Sequence, residues 1–287
     1  MSIEIPAVKL SPELVFGMLD IIDRFRDNPK KMREEMIRFY RSKSIREKVP
    51  SPKNIVRAVT LPSLRHLDLI EGYWPKVSLN PNGKVVLNAH RKHGKAEAKR
   101  KFGVILYRVD EKKGSVIRNL LKLVEKRSTT ELLRFTHKLK EKFEVKTEKE
   151  TRVLHDRLKR WLHYLEYVEF VKQEGEIIKV NRAVLESCVK DKRVKIPTQQ
   201  FTDLLIRKYK ELARKEGSPY VQIPKLRNAV CEETGMLNDG FYDTLRSIKF
   251  TTDKYVIMLS EPMLRQKGGI NIGSKYYYYI FVRSEKK

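Results

Sequence analysis

Basic side chains in residues 147–164 are the strongest candidates for chemistry in this sequence. If this segment is helical, one side of the helix carries mostly cationic groups and the other carries apolar groups. Arginine and lysine bind phosphate oxygens and read guanine in the major groove, into which an α-helix fits. The segment therefore predicts contact with double-stranded DNA through Lys149, Arg152, Lys159, Arg160 and His163.

The charge of the whole chain also favours a polyanionic partner. Its 287 residues include 62 Lys and Arg against 36 Asp and Glu, a net charge of +26. The net charge is +11 over residues 1–103, +7 over 104–190 and +8 over 191–287. A charge-rich surface adapted to heat is the alternative, but such surfaces usually balance lysine against glutamate. We therefore expect a nucleic acid that touches several folded blocks.

The composition argues against several other classes of protein. With 40% apolar residues the chain can build folded cores, and its two cysteines, Cys188 and Cys231, are too few for a disulfide framework. No apolar run approaches the roughly 18 residues that would span a bilayer, and the start has no signal-peptide layout. We expect a cytoplasmic, nucleoid-associated protein without membrane contact.

No motif indicates catalysis. A nuclease would need clustered acids that hold a metal ion, and the closest candidates, residues 110–112 and the pair Glu174 and Glu176, are better explained as turn charges. His90 and His93 lack a nearby carboxylate or thiol that would complete a metal site. We expect no enzymatic activity, no cofactor and no metal, and a metal-dependent nuclease remains an alternative.

One pattern occurs three times with variations: an amphipathic helix, two shorter helices and a hairpin. In the middle copy residues 115–127 form the first helix, and Thr129 and Thr130 cap the second. The Thr-x-x-Glu spacing that opens 147–164 is a capping box for the third helix. Two apolar strands then flank a turn at Gly175.

The first copy is less regular. Its helices are predicted at 11–26, 29–44, 53–59 and 61–70. A hairpin that turns at Asn82 and Gly83 follows, because Asn-Gly is a strong signal for a tight turn. The basic segment 88–103 is predicted to be an exposed connector to the next copy.

The third copy has helices at 198–217, 224–235 and 238–248, followed by strands at 255–262 and 275–283 around a glycine-rich loop. The run Tyr276–Tyr279 could stack on bases, but alternate residues of a strand face opposite sides, so we expect these rings mainly to pack and stiffen the hairpin. Basic junctions place the domain borders near 103 and 194, which gives three domains: 1–103, 104–194 and 195–287.

The strings SLRHLDLIEG (63–72) and RLKRWLHYLEYVEF (157–170) both show Leu-x-x-Leu spacing followed by an apolar strand. With the order of helices and hairpins, they resemble the end of a recognition helix and the start of the wing in winged-helix domains. The resemblance implies a mainly α fold with small β-hairpins, an α+β chain of three tandem winged-helix-like domains. It also implies a non-enzymatic, double-stranded DNA-binding protein, such as a transcriptional or genome-maintenance factor.

The outward sides of the other copies supply further candidate DNA contacts. In the first copy these are Lys53, Arg57, Ser63 and Arg65, with His66 beside them. The connector, which could follow phosphates, adds Arg91, Lys92, Lys95, Lys99, Arg100 and Lys101. The third copy adds Tyr242, Arg246, Lys267 and Lys275.

Two alternatives stay open for the third copy and for the whole chain. Asp239 and Asp243 on the third helix would repel phosphate, so the third domain could bind a protein partner instead. The chain could also be an RNA-binding or single-strand-binding module of a larger complex, in which the tyrosine strand and the basic linkers make the contacts.

Overall fold

The structure is a computed structural model of the chain. Its described residues are 5–43, 50–113, 115–124, 129–191, 196–234, 236–252, 254–263, 266 and 268–284. The protein is mainly helical with small antiparallel sheets, which confirms the predicted α+β class. Among the described residues, no helix is both long and apolar enough to cross a bilayer.

The chain divides into two compact units, a first unit of residues 1–192 and a second unit of residues 193–287. The first unit opens with helices and a two-stranded sheet. Their bounds are a 3-10 turn (Pro12–Leu14), α1 (Val15–Arg24), α2 (Pro29–Lys43), α3 (Pro52–Asn54), a π-helical segment (Ile55–Thr60), α4 (Leu61–His66), β1 (Ile70–Tyr73) and β2 (Lys76–Leu79). The predicted helix pair at 53–70 is thus one helical stretch that ends at His66.

The hairpin predicted at Asn82 and Gly83 is wrong, because these residues begin the long helix α5 (Pro81–Lys112). Asn80 is its N-cap and accepts a hydrogen bond from the Gly83 N–H at 2.9 Å. Pro81 occupies the first helical position, where its missing N–H costs nothing. The true hairpin lies just before this helix and turns between Tyr73 and Lys76.

Helix α5 also corrects the prediction of a connector at 88–103, because these residues are helical. The helix is bent at Gly94, where φ is +83° and ψ is −174°. Only glycine adopts this conformation without strain. The exposed basic residues that were predicted to form a linker therefore lie on a folded element on both sides of a bend.

The rest of the first unit contains the middle copy of the repeated pattern. Its elements are α6 (Val116–Leu123), β3 (Thr129–Glu131), α7 (Leu132–Lys142), α8 (Glu148–Tyr167), β4 (Val171–Glu174), β5 (Ile177–Val180) and α9 (Arg182–Asp191). The predicted capping box at Thr147 and Glu150 and the turn at Gly175 are confirmed. Thr129 and Thr130, predicted as helix caps, instead form β3, which pairs with β5 in a sheet of order β3-β5-β4.

The blocks predicted as 1–103 and 104–194 share one aromatic core within the first unit. The ring of Phe102 in α5 contacts Phe16 of α1 and Tyr164 of α8, with centroids 5.9 and 6.1 Å apart. The Tyr164 hydroxyl donates a hydrogen bond to the Leu10 carbonyl at 2.8 Å. Position 103 therefore lies inside a helix that belongs to both blocks.

The second unit repeats the order of elements seen in residues 116–180. It contains α10 (Thr198–Glu216), β6 (Val221–Gln222), α11 (Ile223–Thr234), α12 (Asn238–Ser247), β7 (Tyr255–Ser260), β8 (Ile270–Ile272), β9 (Lys275–Tyr277) and β10 (Tyr279–Ser284). The strand before the second helix again pairs with the last strand, in a sheet of order β6-β10-β7. The β8–β9 hairpin is an insertion between the two long strands.

Candidate nucleic-acid interface

Helix α8 is held in the first unit by its apolar side. Leu154, Leu158, Trp161, Leu162 and Leu165 are all buried, as the helical spacing predicts. Burial of an aliphatic or aromatic side chain stabilises a fold by roughly 1.5–3 kcal/mol. This row therefore fixes which side of α8 faces solvent.

A buried carboxylate fixes α8 further. Asp110, near the end of α5, is only 1% exposed. It accepts hydrogen bonds from the Trp161 indole N–H at 2.8 Å and from the backbone N–H groups of Val116 and Ile117 at 3.0 and 2.9 Å. One side chain thus joins α5, the start of α6 and the middle of α8.

The environment of Asp110 predicts a pH dependence of stability. Burial raises its pKa from 3.8 to about 6, although hydrogen bonds from Trp161 and from the backbone of Ile117 and Val116 lower it. Because the folded state then binds the proton more tightly, this contribution to stability is present below about pH 4 and is lost as the pH rises through about 6. We expect the free energy of unfolding of the wild type, minus that of Asp110→Asn, to fall by about 1–3 kcal/mol across this window.

The measurement is urea unfolding at several pH values, followed by tryptophan fluorescence. Subtracting the Asp110→Asn variant removes the titration of all other groups, which both proteins share. A difference that stays constant between pH 4 and 6 would contradict the raised pKa.

The solvent side of α8 carries three exposed cations that the sequence predicted as contacts: Lys149, Arg152 and Lys159. Lys149 and Lys159 have no ion-pair partner among the described residues, whereas Arg152 pairs with Glu148 one turn earlier. From Lys149 to Lys159 the helix advances about 15 Å, so the three cations form one row along its solvent side.

The remaining two predicted residues of α8 are engaged within the protein. Arg160 is half-buried and pairs with Asp156 at 2.9 Å. The His163 imidazole lies 3.3 Å from the Glu13 carboxylate in the N-terminal segment. Arg152 also pairs within its own helix, but its side chain is 77% exposed, compared with 36% for Arg160 and 51% for His163.

The β4–β5 hairpin beside α8 is close to electrically neutral. Hydrogen bonds from Lys179 and Lys172, with lengths of 2.5 and 2.9 Å, lower the pKa of Glu174 to about 2. Between the hairpin and α8 lies a cleft of about 210 Å³ that contains Lys159 and Glu176. The unbalanced positive charge of this surface therefore lies on α8 rather than on the hairpin.

The four DNA-contact candidates of the first copy lie in different environments: two are exposed, one is buried and one binds the hairpin. Lys53 and Arg57 are exposed on the helix that runs to His66. The prediction of a DNA contact by Ser63 is corrected, because its side chain is fully buried. Its Oγ accepts hydrogen bonds from the N–H groups of Lys9 and Leu10 at 2.8 and 3.0 Å. Arg65 donates two hydrogen bonds to a backbone carbonyl of the hairpin, at 3.2 and 3.0 Å, and therefore braces β1.

The basic residues of α5 are largely engaged with neighbouring groups. Arg91 binds Asp20 and Asp23 of α1, each at 2.7 Å. Arg100 and Lys101 pair with Glu97, at 2.6 and 3.9 Å. The ammonium groups of Lys95 and Lys99 lie over the Tyr167 ring, 5.8 and 4.7 Å from its centroid. Lys92 is exposed. Arg91, Lys95 and Lys99 thus join α5 to other elements, whereas Arg100 and Lys101 are paired within the helix itself.

Two candidates on the third helix of the third copy, Tyr242 and Arg246, are engaged within the protein. The Tyr242 hydroxyl accepts from Arg227 at 3.0 Å and donates to the Gly268 carbonyl at 2.7 Å, so it fastens the inserted loop. Arg246 pairs with Asp243 at 3.0 Å. Lys275 is exposed on β9, and Lys267 lies outside the described residues.

The sequence does not predict Asp110 as a positioning residue, because its local pattern resembles a turn charge. A signal was present: an acid between the apolar run GVILYRV and the start of an apolar helix can accept from that helix's free N–H groups, although Glu111 occupies the same stretch. Its indole partner lies 51 positions further along the chain, and no local pattern indicates that contact.

Within the described part of the chain, no three His, Cys, Asp or Glu side chains lie close enough together to hold a metal ion. No family model matches the sequence, and no curated protein or solved structure matches it significantly.

Proposed function

We propose that this protein binds double-stranded DNA, without catalysis, through α8 of a winged-helix module formed by residues 116–180. A protein with this activity acts on the nucleoid in the cytoplasm, in transcriptional control or genome maintenance. The observation that carries the proposal is the row of exposed cations on α8, Lys149, Arg152 and Lys159, on a helix whose opposite side is buried.

The order of elements supports the same proposal. Residues 116–180 run helix, strand, helix, helix and hairpin, and the early strand pairs with the last strand. This is the arrangement expected for a winged helix, in which the third helix enters the major groove and the hairpin lies beside it. Residues 198–284 repeat the order, so we propose a second such module there.

Removing the three α8 cations tests the proposal. We expect Lys149→Ala, Arg152→Ala and Lys159→Ala together to weaken duplex binding by about tenfold or more, because each lost phosphate contact also loses its counterion release. The slope of log affinity against log salt should become shallower by about 2.7, measured by fluorescence anisotropy with a labelled duplex.

The matched control removes three exposed cations from the first helices of the two modules: Arg118→Ala, Lys122→Ala and Lys215→Ala. It changes the net charge equally but leaves α8 intact. Equal loss of affinity in both triple variants, or no loss in the first, would refute α8 as the contact element.

A further inference from the structure

The outer face of the three-stranded sheet in the second unit is not explained by duplex binding through a helix. Ile257, Leu259 and Ile280 point into the core of this unit. Because neighbouring residues of a strand face opposite sides, the residues between them face outward. The outward positions of the three strands are Gln222, Val256, Met258, Ser260, Tyr279, Phe281 and Arg283.

Aromatic rings are concentrated on this face. Tyr220, just before β6, is 55% exposed, and its ring lies against Phe281 with centroids 5.8 Å apart and planes 32° from parallel. Met258, directly opposite Phe281 on β7, is 42% exposed. An aromatic and apolar platform is therefore partly open to solvent, although burial of such rings would normally be favourable.

The charged side chains on this face favour an anionic ligand. All seven outward positions lie among the described residues, and none is a carboxylate. Arg283 is exposed two residues from Phe281, about 7 Å along the same side of the strand. A guanidinium at this distance can bind a phosphate while a base stacks on the neighbouring rings.

We infer that this sheet face binds single-stranded nucleic acid, with bases stacked on Tyr220 and Phe281 and a phosphate held by Arg283. Stable protein interfaces use about 20–30 residues a side, many more than the seven positions here, so a second copy of the chain fits the face less well. The 18 basic and 10 acidic side chains of residues 193–287 give this unit a net charge of +8, which also favours a polyanion.

The tyrosine run of the third copy is not this platform. The Tyr276 hydroxyl accepts from the Gly269 N–H at 2.7 Å and donates to the Gln266 carbonyl, so it fastens the inserted hairpin. Tyr277 packs against the core, and Tyr278 is buried. Of the four, Tyr279 alone occupies an outward position of β10, two residues from Phe281.

Replacing Tyr220 tests the inference in the full chain. We expect Tyr220→Leu, which keeps apolar bulk but removes the flat ring, to weaken binding of a fluorescein-labelled oligothymidylate by about tenfold. Tyr220→Trp should restore affinity to within about twofold, because any aromatic ring can stack on a base. Duplex affinity should stay within about twofold in both variants, so failure here is separable from failure of the α8 proposal.

A control and a second measurement keep the inference falsifiable. Leu133→Ala removes an exposed apolar side chain from the first unit and should leave oligothymidylate affinity unchanged. Photocrosslinking of the wild type to an iodouracil-substituted strand, mapped by mass spectrometry, should label Tyr220 or Phe281. Crosslinks confined to other elements, equal affinity of the wild type and Tyr220→Leu, or dimerisation of the wild type that Tyr220→Leu abolishes would each overturn the assignment.

Discussion

Replacing Asp110 with alanine is expected to lower the free energy of unfolding of the first unit by about 3 kcal/mol at pH 7. The substitution leaves three buried donors without an acceptor: the indole N–H of Trp161 and the backbone N–H groups of Val116 and Ile117. Each such loss costs roughly 1–3 kcal/mol, partly offset because the buried carboxylate is no longer desolvated. For a unit of this size the midpoint of thermal unfolding should fall by about 10 °C.

Tryptophan fluorescence reports this change selectively, because both tryptophans of the chain, Trp74 and Trp161, belong to the first unit. Trp161→Phe keeps most of the ring but removes one donor, so it should cost less than Asp110→Ala. In the double variant the two effects should not add, because each removes the same hydrogen bond. Strict additivity would show that the carboxylate does not couple α5 to α8.

The second large effect is expected from Gly83→Ala, which should destabilise the first unit by about 3 kcal/mol. A β-carbon at Gly83 would lie 2.1 Å from the Leu69 carbonyl oxygen. That oxygen accepts the Asn80 N–H at 3.2 Å, so it cannot withdraw without breaking the junction between hairpin and helix. Either the first turn of α5 or the hairpin must move.

A glycine-to-alanine change within a helix normally stabilises it by up to about 1 kcal/mol. A loss of stability in Gly83→Ala would therefore indicate the close contact with Leu69. Asn88→Ala, on an exposed position of the same helix, is the control and should be neutral or slightly stabilising. Urea unfolding of the two variants decides the question. Stabilisation by Gly83→Ala would show that the helix start and the hairpin are not in close contact.

The sequence predicted features that depend on neighbouring residues. Helix α8 begins at the expected capping box and buries the expected leucines and Trp161, because the local spacing determines both. The hairpin turn at Gly175 follows in the same way from a glycine with φ of +59°. These features include the surface on which the duplex-binding proposal depends.

Features that depend on distant residues were not predicted. Asn82 and Gly83 resemble a tight turn locally, yet Asn80 and Pro81 before them begin a helix that packs against Leu69. The short strand β3 is defined by its pairing with β5, almost fifty residues later, and its threonines alone resemble helix caps. The ring contact between Tyr220 and Phe281 likewise joins residues that no periodic pattern connects.

The candidate DNA contacts also differ in how far the sequence alone predicts their exposure, because some depend on neighbouring residues and others on distant ones. Exposure of Lys149 and Lys159 follows from helical spacing, so the sequence could identify them. The burial of Ser63 results from hydrogen bonds to Lys9 and Leu10, more than fifty positions away. The acids that neutralise Arg91 are 71 and 68 positions away, on α1.

The bend at Gly94 lets the two halves of a single helix, α5, contact different helices of the first unit. Before the bend Arg91 is tied to α1, and after it Phe102 packs against α8. A β-carbon added at Gly94 would meet no described atom within 4 Å, so the direction change is set by one pair of backbone angles rather than by contacts around it. An ordinary residue there would favour a straight rod of about 32 residues, near 48 Å long, whose ends could not both reach their present partners.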